Sequence, residues 1–251
     1  MTTLRTRNLW IVAGALSFAP PAAGPVPAVE PRAEAVDPAV KQALADLDRK
    51  AAGVRDLTAG FKEYKYTPLL RRPLVTEGVL RIRGGTSRWD AQKPRPIVTL
   101  IGGDEVRMYY PERATVEVYE IGASLRFMAV SPLPRPATLQ EHFRLVPLPL
   151  DPIDGPWNER THLGIRLTPT SSALREYIET VDVVIERESS YVVRAELRDA
   201  DGDRTVLIFS DIRVNTGLTD GDMQLALAPG TKVVRPLAGK AEAPGVKERA
   251  P

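Results

Sequence analysis

The side chains that most often perform catalysis are scarce in this chain. Cysteine is absent, and the two histidines are His142 and His162. The lack of cysteine excludes cysteine nucleophiles, thiolate metal sites, disulfides and a lipid-modified N-terminal cysteine. Two histidines leave little material for a zinc site or a Ser-His triad. No G-x-S-x-G, G-x-x-x-x-G-K-[ST] or H-E-x-x-H motif occurs. We therefore predict that the protein is not an enzyme and needs neither a metal nor an organic cofactor.

Charged side chains form two groups that could bind an ion. The run Asp199–Asp203 resembles the start of a calcium loop, but its sixth position is Arg204 and its twelfth is Ser210. A calcium loop needs glycine and glutamate there, so a hairpin turn is the better interpretation. The other group is basic: on an exposed sheet face it would be solvated, and at a cavity rim it could meet an acidic partner or a phosphate. It consists of Arg71, Arg72, Arg81, Arg83 and Arg88.

Composition places the 251-residue chain among ordinary globular proteins. Hydrophobic residues make up 43% and charged residues 26%, and a chain of this length can bury a sizeable core. Lys and Arg number 34 and Asp and Glu 32, which leaves a formal net charge of +2. A nucleic-acid-binding role is not expected, because binding depends on an excess of cations that neutralise phosphates.

The N-terminus has the pattern of a secretory signal peptide. Arg5 and Arg7 precede the apolar run at 9–16, and small residues and prolines fill 19–28. A basic start, a short apolar stretch and a small-residue exit are typical of such signals, and the run is too short to span a bilayer. We predict that residues 1–28 are removed on export and that the mature protein is soluble in the periplasm.

The rest of the chain divides into a linker, one domain and a tail. Residues 29–36 are rich in proline and charge, and residues 238–251 are small and charged and predict an unstructured C-terminus. The domain is predicted to span residues 37–237. It begins with a helix, since Asp37 can cap it, a proline follows at the first helical position, and Gly53 can end it.

Most of the domain has strand patterns. About ten segments alternate between apolar and polar residues, and turns such as Gly102–Asp104 separate them, as in an antiparallel sheet. Residues 122–156 interrupt this rhythm with prolines and two helix-like pieces, 123–130 and 137–145. The pattern predicts a mainly β fold: an incomplete antiparallel barrel with an N-terminal helix and a helical lid.

Bulky residues are abundant on the faces predicted to point inward. Composition alone favours a filled core, and an apolar cavity needs further support. The candidate inward-facing residues of the strands and of the helical insertion are Phe61, Leu80, Ile82, Trp89, Leu100, Met108, Tyr110, Val118, Phe127, Met128, Phe143, Tyr177, Val193 and Ile208.

Three stretches resemble the outer-membrane lipoprotein carrier (LolA) family. The first is 54–90, with Glu77–Arg83 before Arg88–Asp90; the second is 100–118, a hairpin with the exit Tyr109–Pro111. The third includes Leu167–Pro169, the strand 177–187 and the run 205–215. Their order holds over about residues 40–235.

The resemblance implies a periplasmic carrier whose apolar cavity shields the acyl chains of lipoproteins between the inner and outer membranes. Its implied partners are acylated lipoproteins, an inner-membrane ABC lipoprotein-releasing transporter and an outer-membrane acceptor, and a monomer is expected. The resemblance maps the family's functional arginine onto Arg83 and a transporter-contacting position onto Ser87. A periplasmic sensor of the same fold, whose lipid occupancy regulates a signalling protein, is the alternative. A binding module with a packed core is a third.

Overall fold

The computed structural model describes residues 37–120, 131–134 and 136–236. The predicted signal peptide, the linker and the whole predicted tail lie outside these residues. Among the described helices, none combines the length and the apolar character needed to cross a membrane.

Within the described residues, three α-helices accompany the sheet: α1 (Pro38–Ala52), α2 (Pro136–His142) and α3 (Ser172–Arg175). The backbone N–H of Val40 donates to a carboxylate oxygen of Asp37 at 3.4 Å, which confirms the predicted cap of α1. The helical piece predicted over 137–145 is partly wrong, because the helix ends at His142 and Phe143 begins a strand. The other predicted piece, 123–130, lies outside the described residues.

Twelve strands form one sheet. In space they follow the order β12-β6-β5-β4-β3-β2-β1-β11-β10-β9-β8-β7, and every pair is antiparallel except β12 with β6. The two edge strands do not pair, so the prediction of an incomplete antiparallel barrel with helices is confirmed. The strands are β1 (Asp56–Tyr66), β2 (Leu74–Arg83), β3 (Thr86–Lys93), β4 (Ile97–Gly102), β5 (Glu105–Tyr110), β6 (Thr115–Glu120), β7 (Phe143–Pro147), β8 (His162–Pro169), β9 (Ile178–Glu186), β10 (Val192–Asp199), β11 (Arg204–Val214) and β12 (Lys232–Val234).

The outer face is covered at both ends of the strand order. At one end, residues 148–161 cross β8: the N–H of Leu148 donates to the carbonyl of Gly164 at 3.0 Å. A Cβ at Gly164 would lie 2.2 Å from the Leu148 carbonyl oxygen, so this crossing requires glycine. At the other end, residues 215–231, here called the C-terminal strap, cross β2 to β6 before β12 pairs with β6.

The strap is held by polar contacts along its length. Arg88 donates to the carbonyls of Asp222 at 3.0 Å and Gln224 at 2.5 Å. Farther along, the N–H of Ala228 donates to the Tyr109 hydroxyl at 3.1 Å. The strap therefore covers the apolar outer face of strands that would otherwise meet water on that side.

Asp56 fixes the corner where β11 becomes the strap. Its buried carboxylate accepts hydrogen bonds from the Thr216 N–H at 2.6 Å, the Thr216 hydroxyl at 2.8 Å and the Gly217 N–H at 3.1 Å. Burial by itself raises the pKa of Asp56, but the hydrogen bonds from Thr216 and Gly217 outweigh it and hold the pKa below the usual 3.8. The carboxylate form is therefore part of the folded corner.

We expect Asp56→Ala to release the strap. The folded pKa of Asp56 lies below 3.8, so its stabilisation is complete well above that pH and is lost as the pH falls through the folded value. Hydrogen exchange of residues 216–231 at neutral pH should accelerate in Asp56→Ala and stay unchanged in Asp48→Ala, an exposed aspartate on α1. Equal protection of the strap in all three proteins would contradict this anchoring role.

Glu63 is a carboxyl on the inner face of β1, on the same side as Ala59 and Phe61. Its partners on the neighbouring strands are Thr76 and Leu207. Removal from water raises the pKa of Glu63 to about 7, against an opposing effect from the charge of Lys65. The folded protein thus favours the protonated carboxyl.

Because the folded pKa exceeds the ordinary 4.5, wild type should lose stability as the pH rises from 4.5 to about 7, and the loss should persist above 7. Glu63→Gln removes this loss, on the order of 2–3 kcal/mol. The measurement is the free energy of unfolding across this range, with Glu179→Gln, an exposed glutamate of β9, as the control. If wild type and Glu63→Gln share one pH dependence, the carboxyl is ionised inside the fold and the assignment fails.

Candidate functional site

Two apolar clusters fill the inner face of the curled sheet. The first lies within β1 to β6 and β11, and the second lies between α1, α2 and strands β7 to β10. Leu133 packs against both and joins them. The buried residues of the first cluster are Leu57, Ala59, Phe61, Leu80, Trp89, Ile101, Val106, Met108, Tyr110, Tyr119, Leu207 and Phe209. Those of the second cluster are Val40, Leu44, Leu47, Phe143, Leu145, Leu163, Ile165, Leu167, Ile178, Ile185, Val192 and Ala195.

The first cluster is closed by its own aromatic side chains. Trp89 meets Phe61 edge-on with ring centroids 5.0 Å apart and Phe209 at 6.3 Å. The hydroxyls of Tyr110 and Tyr119 donate to one carboxylate oxygen of Glu117, at 3.3 and 2.8 Å. Burial, together with the charge of Glu117, raises the pKa of Tyr110 to about 12. Large rings and satisfied polar groups make this half a filled core.

The second cluster contains an apolar cavity. α1, α2 and the segment 131–134 form one wall, and the inner face of β7 to β10 forms the other. Ser131 is the one polar residue among the described residues of the lining, and its hydroxyl accepts a hydrogen bond from the Leu133 N–H at 3.1 Å. The lining residues are Leu44, Leu47, Ser131, Pro134, Leu139, Phe143, Leu145, Ile165, Leu167, Ile178, Val181, Val183, Ile185, Val192 and Leu197.

The cavity volume is about 70 Å³. An apolar protein cavity of about 150 Å³ holds one benzene molecule, so this one is too small for an acyl chain as it stands. The helices and the sheet meet across the middle of the second half. A long apolar ligand can enter only if one of these walls moves.

Eight of the predicted cavity residues lie on the inner face, but in different halves. Phe143 and Tyr177 belong to the second cluster, and of the two Phe143 lines the cavity. The other six lie in or against the filled first cluster: Phe61, Leu80, Ile82, Trp89, Met108 and Tyr110. Phe127 and Met128 lie outside the described residues.

The predicted inward orientation of Leu100, Val118 and Ile208 is wrong. Side chains alternate along a strand, and Ile101 of β4 and Tyr119 of β6 take the inner positions. Leu100 and Val118 therefore face outward, beneath the C-terminal strap, where they line a surface groove.

Two further positions on β10 and β11 depart from the prediction. Ile208 pairs with Lys62 and Arg194, while Leu207 and Phe209 occupy the inner face. Val193 lies at a β-bulge next to Val192 and belongs to neither cluster. The outer face of these strands thus carries half-buried aliphatic side chains among charged ones.

The two positions predicted to contact a lid or a partner have other neighbours. Arg83 donates from Nε to the carboxylate of Asp220 in the strap at 2.9 Å. Ser87 is buried, and its hydroxyl oxygen accepts a hydrogen bond from the Trp89 indole N–H at 3.3 Å. The prediction that Ser87 contacts a lid or a partner is therefore wrong, because its side chain points into the first cluster.

Sequence reasoning missed most of the cavity lining. The missed residues had a usable signal: in β9, Val181, Val183 and Ile185 alternate with Asp182, which pairs with Arg166 on the outer face at 2.7 Å. The apolar spacing of α1 pointed to the opposite wall, since Leu44 and Leu47 lie on one face of that helix.

No protein-family model matches this chain, and no curated protein does. Several solved structures are similar to it. An uncharacterized conserved protein from Thermus thermophilus shares 14% identity over 78% of this chain and 99% of that chain, with a TM-score of 0.46. A domain named as an outer membrane lipoprotein-sorting protein, from Vibrio parahaemolyticus, shares 15% identity over 74% and 95%, with a TM-score of 0.42.

A third solved structure is a LolA superfamily protein from Nitrosomonas europaea. It shares 13% identity over 72% of this chain and 97% of that chain, with a TM-score of 0.38. Its name is that of the family that the sequence motifs of this chain resemble. At identities of 15% or less, function has to be inferred from the geometry of this chain itself.

Proposed function

We propose that this protein is an exported carrier that shields acyl chains between helices α1 and α2 and the inner face of β7 to β10. The observation that carries the proposal is the lining of the cavity, which is apolar on both walls except for Ser131 and has no charged group among the described residues. Such a surface selects a ligand by its apolar length, because it has almost no polar group with which to recognise a functional group.

The wall made by the helices is the one that can move. Strands β7 to β10 are joined by antiparallel backbone hydrogen-bond ladders, with bulges only between β9 and β10. In contrast, α1 meets α2, β7 and β8 through apolar side chains such as Val40, Leu44 and Leu47. Displacing α1 breaks no hydrogen bond within the sheet, and it turns the small cavity into a groove along the sheet. The segment 131–134 is more firmly attached, because the Val192 N–H of β10 donates to the Pro132 carbonyl at 2.9 Å.

The free energies of covering an acyl chain and of displacing α1 are consistent with reversible binding. Covering one long acyl chain of roughly fifteen methylenes, at ~0.8 kcal/mol each, contributes on the order of 12 kcal/mol. Separating three fully buried aliphatic side chains of α1 from the sheet costs about 5–9 kcal/mol. The difference of a few kcal/mol corresponds to dissociation constants from about millimolar to about ten micromolar, weak enough for release.

The sequence suggests which cargo the protein carries and between which membranes. A signal peptide over residues 1–28 would deliver the protein to the periplasm, where acyl chains cross water between two membranes. The resemblance of three sequence stretches to the LolA family supports lipoproteins as the cargo, an inner-membrane ABC transporter as the donor and an outer-membrane protein as the acceptor. The mature protein would then shuttle acylated lipoproteins from the inner to the outer membrane.

Filling the cavity should block acyl binding. We expect Val181→Trp, at a half-buried position of the lining, to weaken palmitate binding at least tenfold, because the indole occupies the groove that the acyl chain needs. Ile208→Trp places the same side chain at a half-buried position on the outer face and should leave palmitate binding unchanged. Isothermal titration calorimetry gives the affinity, and thermal unfolding verifies that both variants are folded.

Two outcomes would contradict the proposal. If the wild-type protein bound no palmitate, acyl chains would be excluded as its ligands. Equal palmitate affinity in wild type and folded Val181→Trp would place the acyl chain elsewhere on the protein.

A further inference from the structure

Three neighbouring hairpin turns form one exposed surface at an end of the sheet. They are residues 67–73 between β1 and β2, 94–96 between β3 and β4, and 111–114 between β5 and β6. Because β1 to β6 are consecutive neighbours in the sheet, these turns lie side by side at the same end. We call this surface the tip row.

The tip row exposes aliphatic side chains. Leu69 is 91% exposed and Leu70 is 46% exposed. The turn that presents them is defined by hydrogen bonds: the Leu70 N–H donates to the Thr67 carbonyl at 3.1 Å, and the Leu69 N–H donates to the Thr67 hydroxyl at 3.4 Å. Leu74, the first residue of β2, is 44% exposed beside them. Adjacent exposed leucines at a protruding turn are typical of an interaction site.

The same turns are basic. They contain Arg71, Arg72, Arg95 and Arg113, against the single acidic residue Glu112. Within the described part of the chain, Arg71, Arg72 and Arg95 are exposed and make no ion pair. The next turn at this end, residues 200–203, instead carries two aspartates, so the basic character is confined to the tip row.

Proline stiffens the three turns. Prolines occupy positions 68, 73, 94, 96 and 111 and fix the backbone φ angle at each of them. A stiff turn loses little conformational entropy when it docks. The exposed leucines and the arginines are therefore held in place before any partner arrives.

We propose that the tip row docks the protein on an anionic phospholipid bilayer. Leu69 and Leu70 would enter the boundary between headgroups and acyl chains, while Arg71, Arg72 and Arg95 bind lipid phosphates. Apolar side chains flanked by cations hold a protein at an anionic membrane surface. Burial of the apolar side chains and attraction of the cations to the lipid phosphates both strengthen the binding. The docking does not depend on the cavity, and a protein with a blocked cavity should still dock.

The test uses the full chain, whose lack of cysteine allows one label at a time. Leu69→Cys carries an environment-sensitive NBD fluorophore in the tip row, and Leu227→Cys, at a leucine that is also 46% exposed, carries it in the strap. NBD emission is recorded as each protein is titrated with mixed phosphatidylglycerol–phosphatidylcholine vesicles and with pure phosphatidylcholine vesicles. Because the label reports its own surroundings, contacts of residues outside the tip row do not produce its signal.

We expect the label at position 69 to brighten and shift to the blue with the anionic vesicles and to respond weakly to neutral ones, while the label at 227 stays unchanged. The double substitution Arg71→Ala and Arg72→Ala should weaken the response at position 69 by about 25-fold, at ~fivefold per arginine. The matched double substitution Arg55→Ala and Arg160→Ala removes the same charge from exposed positions elsewhere and should not weaken it.

Three results would overturn the proposal. One is an unchanged signal at position 69 with anionic vesicles; another is an equal response to neutral and anionic vesicles. The third is NBD emission at position 69 that does not change with vesicles but changes when an acidic protein is added. That result would make the tip row a protein-docking surface. Val181→Trp distinguishes membrane docking from the proposed carrier function, since this variant should lose palmitate binding and keep the vesicle response.

Discussion

The structure depends on how the inner face of one curled, open sheet is kept out of water. Side chains alternate along each strand, so twelve strands create two large faces at once, and an open barrel cannot cover its interior by closing on itself. This protein solves the problem differently in its two halves. Rings such as Trp89, Phe61 and Phe209 fill one half, whereas α1 and α2 must be laid over the other.

That division decides where the molecule can open. The first half has no loose wall among the described residues, since its closing side chains come from the strands themselves and Glu117 satisfies its two tyrosine hydroxyls. The second half is closed by a separate layer whose described residues contact the sheet mainly through apolar side chains, while the Val192 N–H of β10 donates to the Pro132 carbonyl of that layer at 2.9 Å. The residual volume of about 70 Å³ lies along this seam, where packing between the two layers is incomplete.

The outer face follows the same constraint. The strap covers β2 to β6 and the segment 148–161 covers β8, so the apolar outer residues of those strands are sheltered. The middle of the outer face uses charge instead: Arg194 and Glu196 are buried side by side, joined at 2.5 Å, and Arg198 reaches the same glutamate at 2.6 Å. Charged side chains that pair with one another can shield neighbouring backbone while meeting water at their edges.

Much of the fold could be predicted from local sequence signals. The cap and the length of α1, the antiparallel strands and the Gly-Asp turns follow from short-range rules, and so does the incomplete barrel. The face of Leu100, Val118 and Ile208 could not be predicted, because apolar residues on both faces of one strand look alike until the covering strap is known. Val193 shows a second limit, since a single β-bulge changes the alternation without a sequence signal. Little of the site was predicted: among the described lining residues only Phe143 was a predicted cavity residue, and α1 was predicted as a helix without its role as a wall.

The central claim is that α1 leaves the sheet when an acyl chain enters. A distance between spin labels tests it most directly, with one label on the exposed face of α1 at Ala45→Cys and one on β9 at Glu179→Cys. Pulsed electron paramagnetic resonance then compares the distance with and without saturating palmitate. If α1 leaves the sheet, a new and longer distance population should appear and grow with palmitate occupancy. A distance that stays fixed while palmitate binds would mean that the interior does not open at this seam, and the account would be wrong.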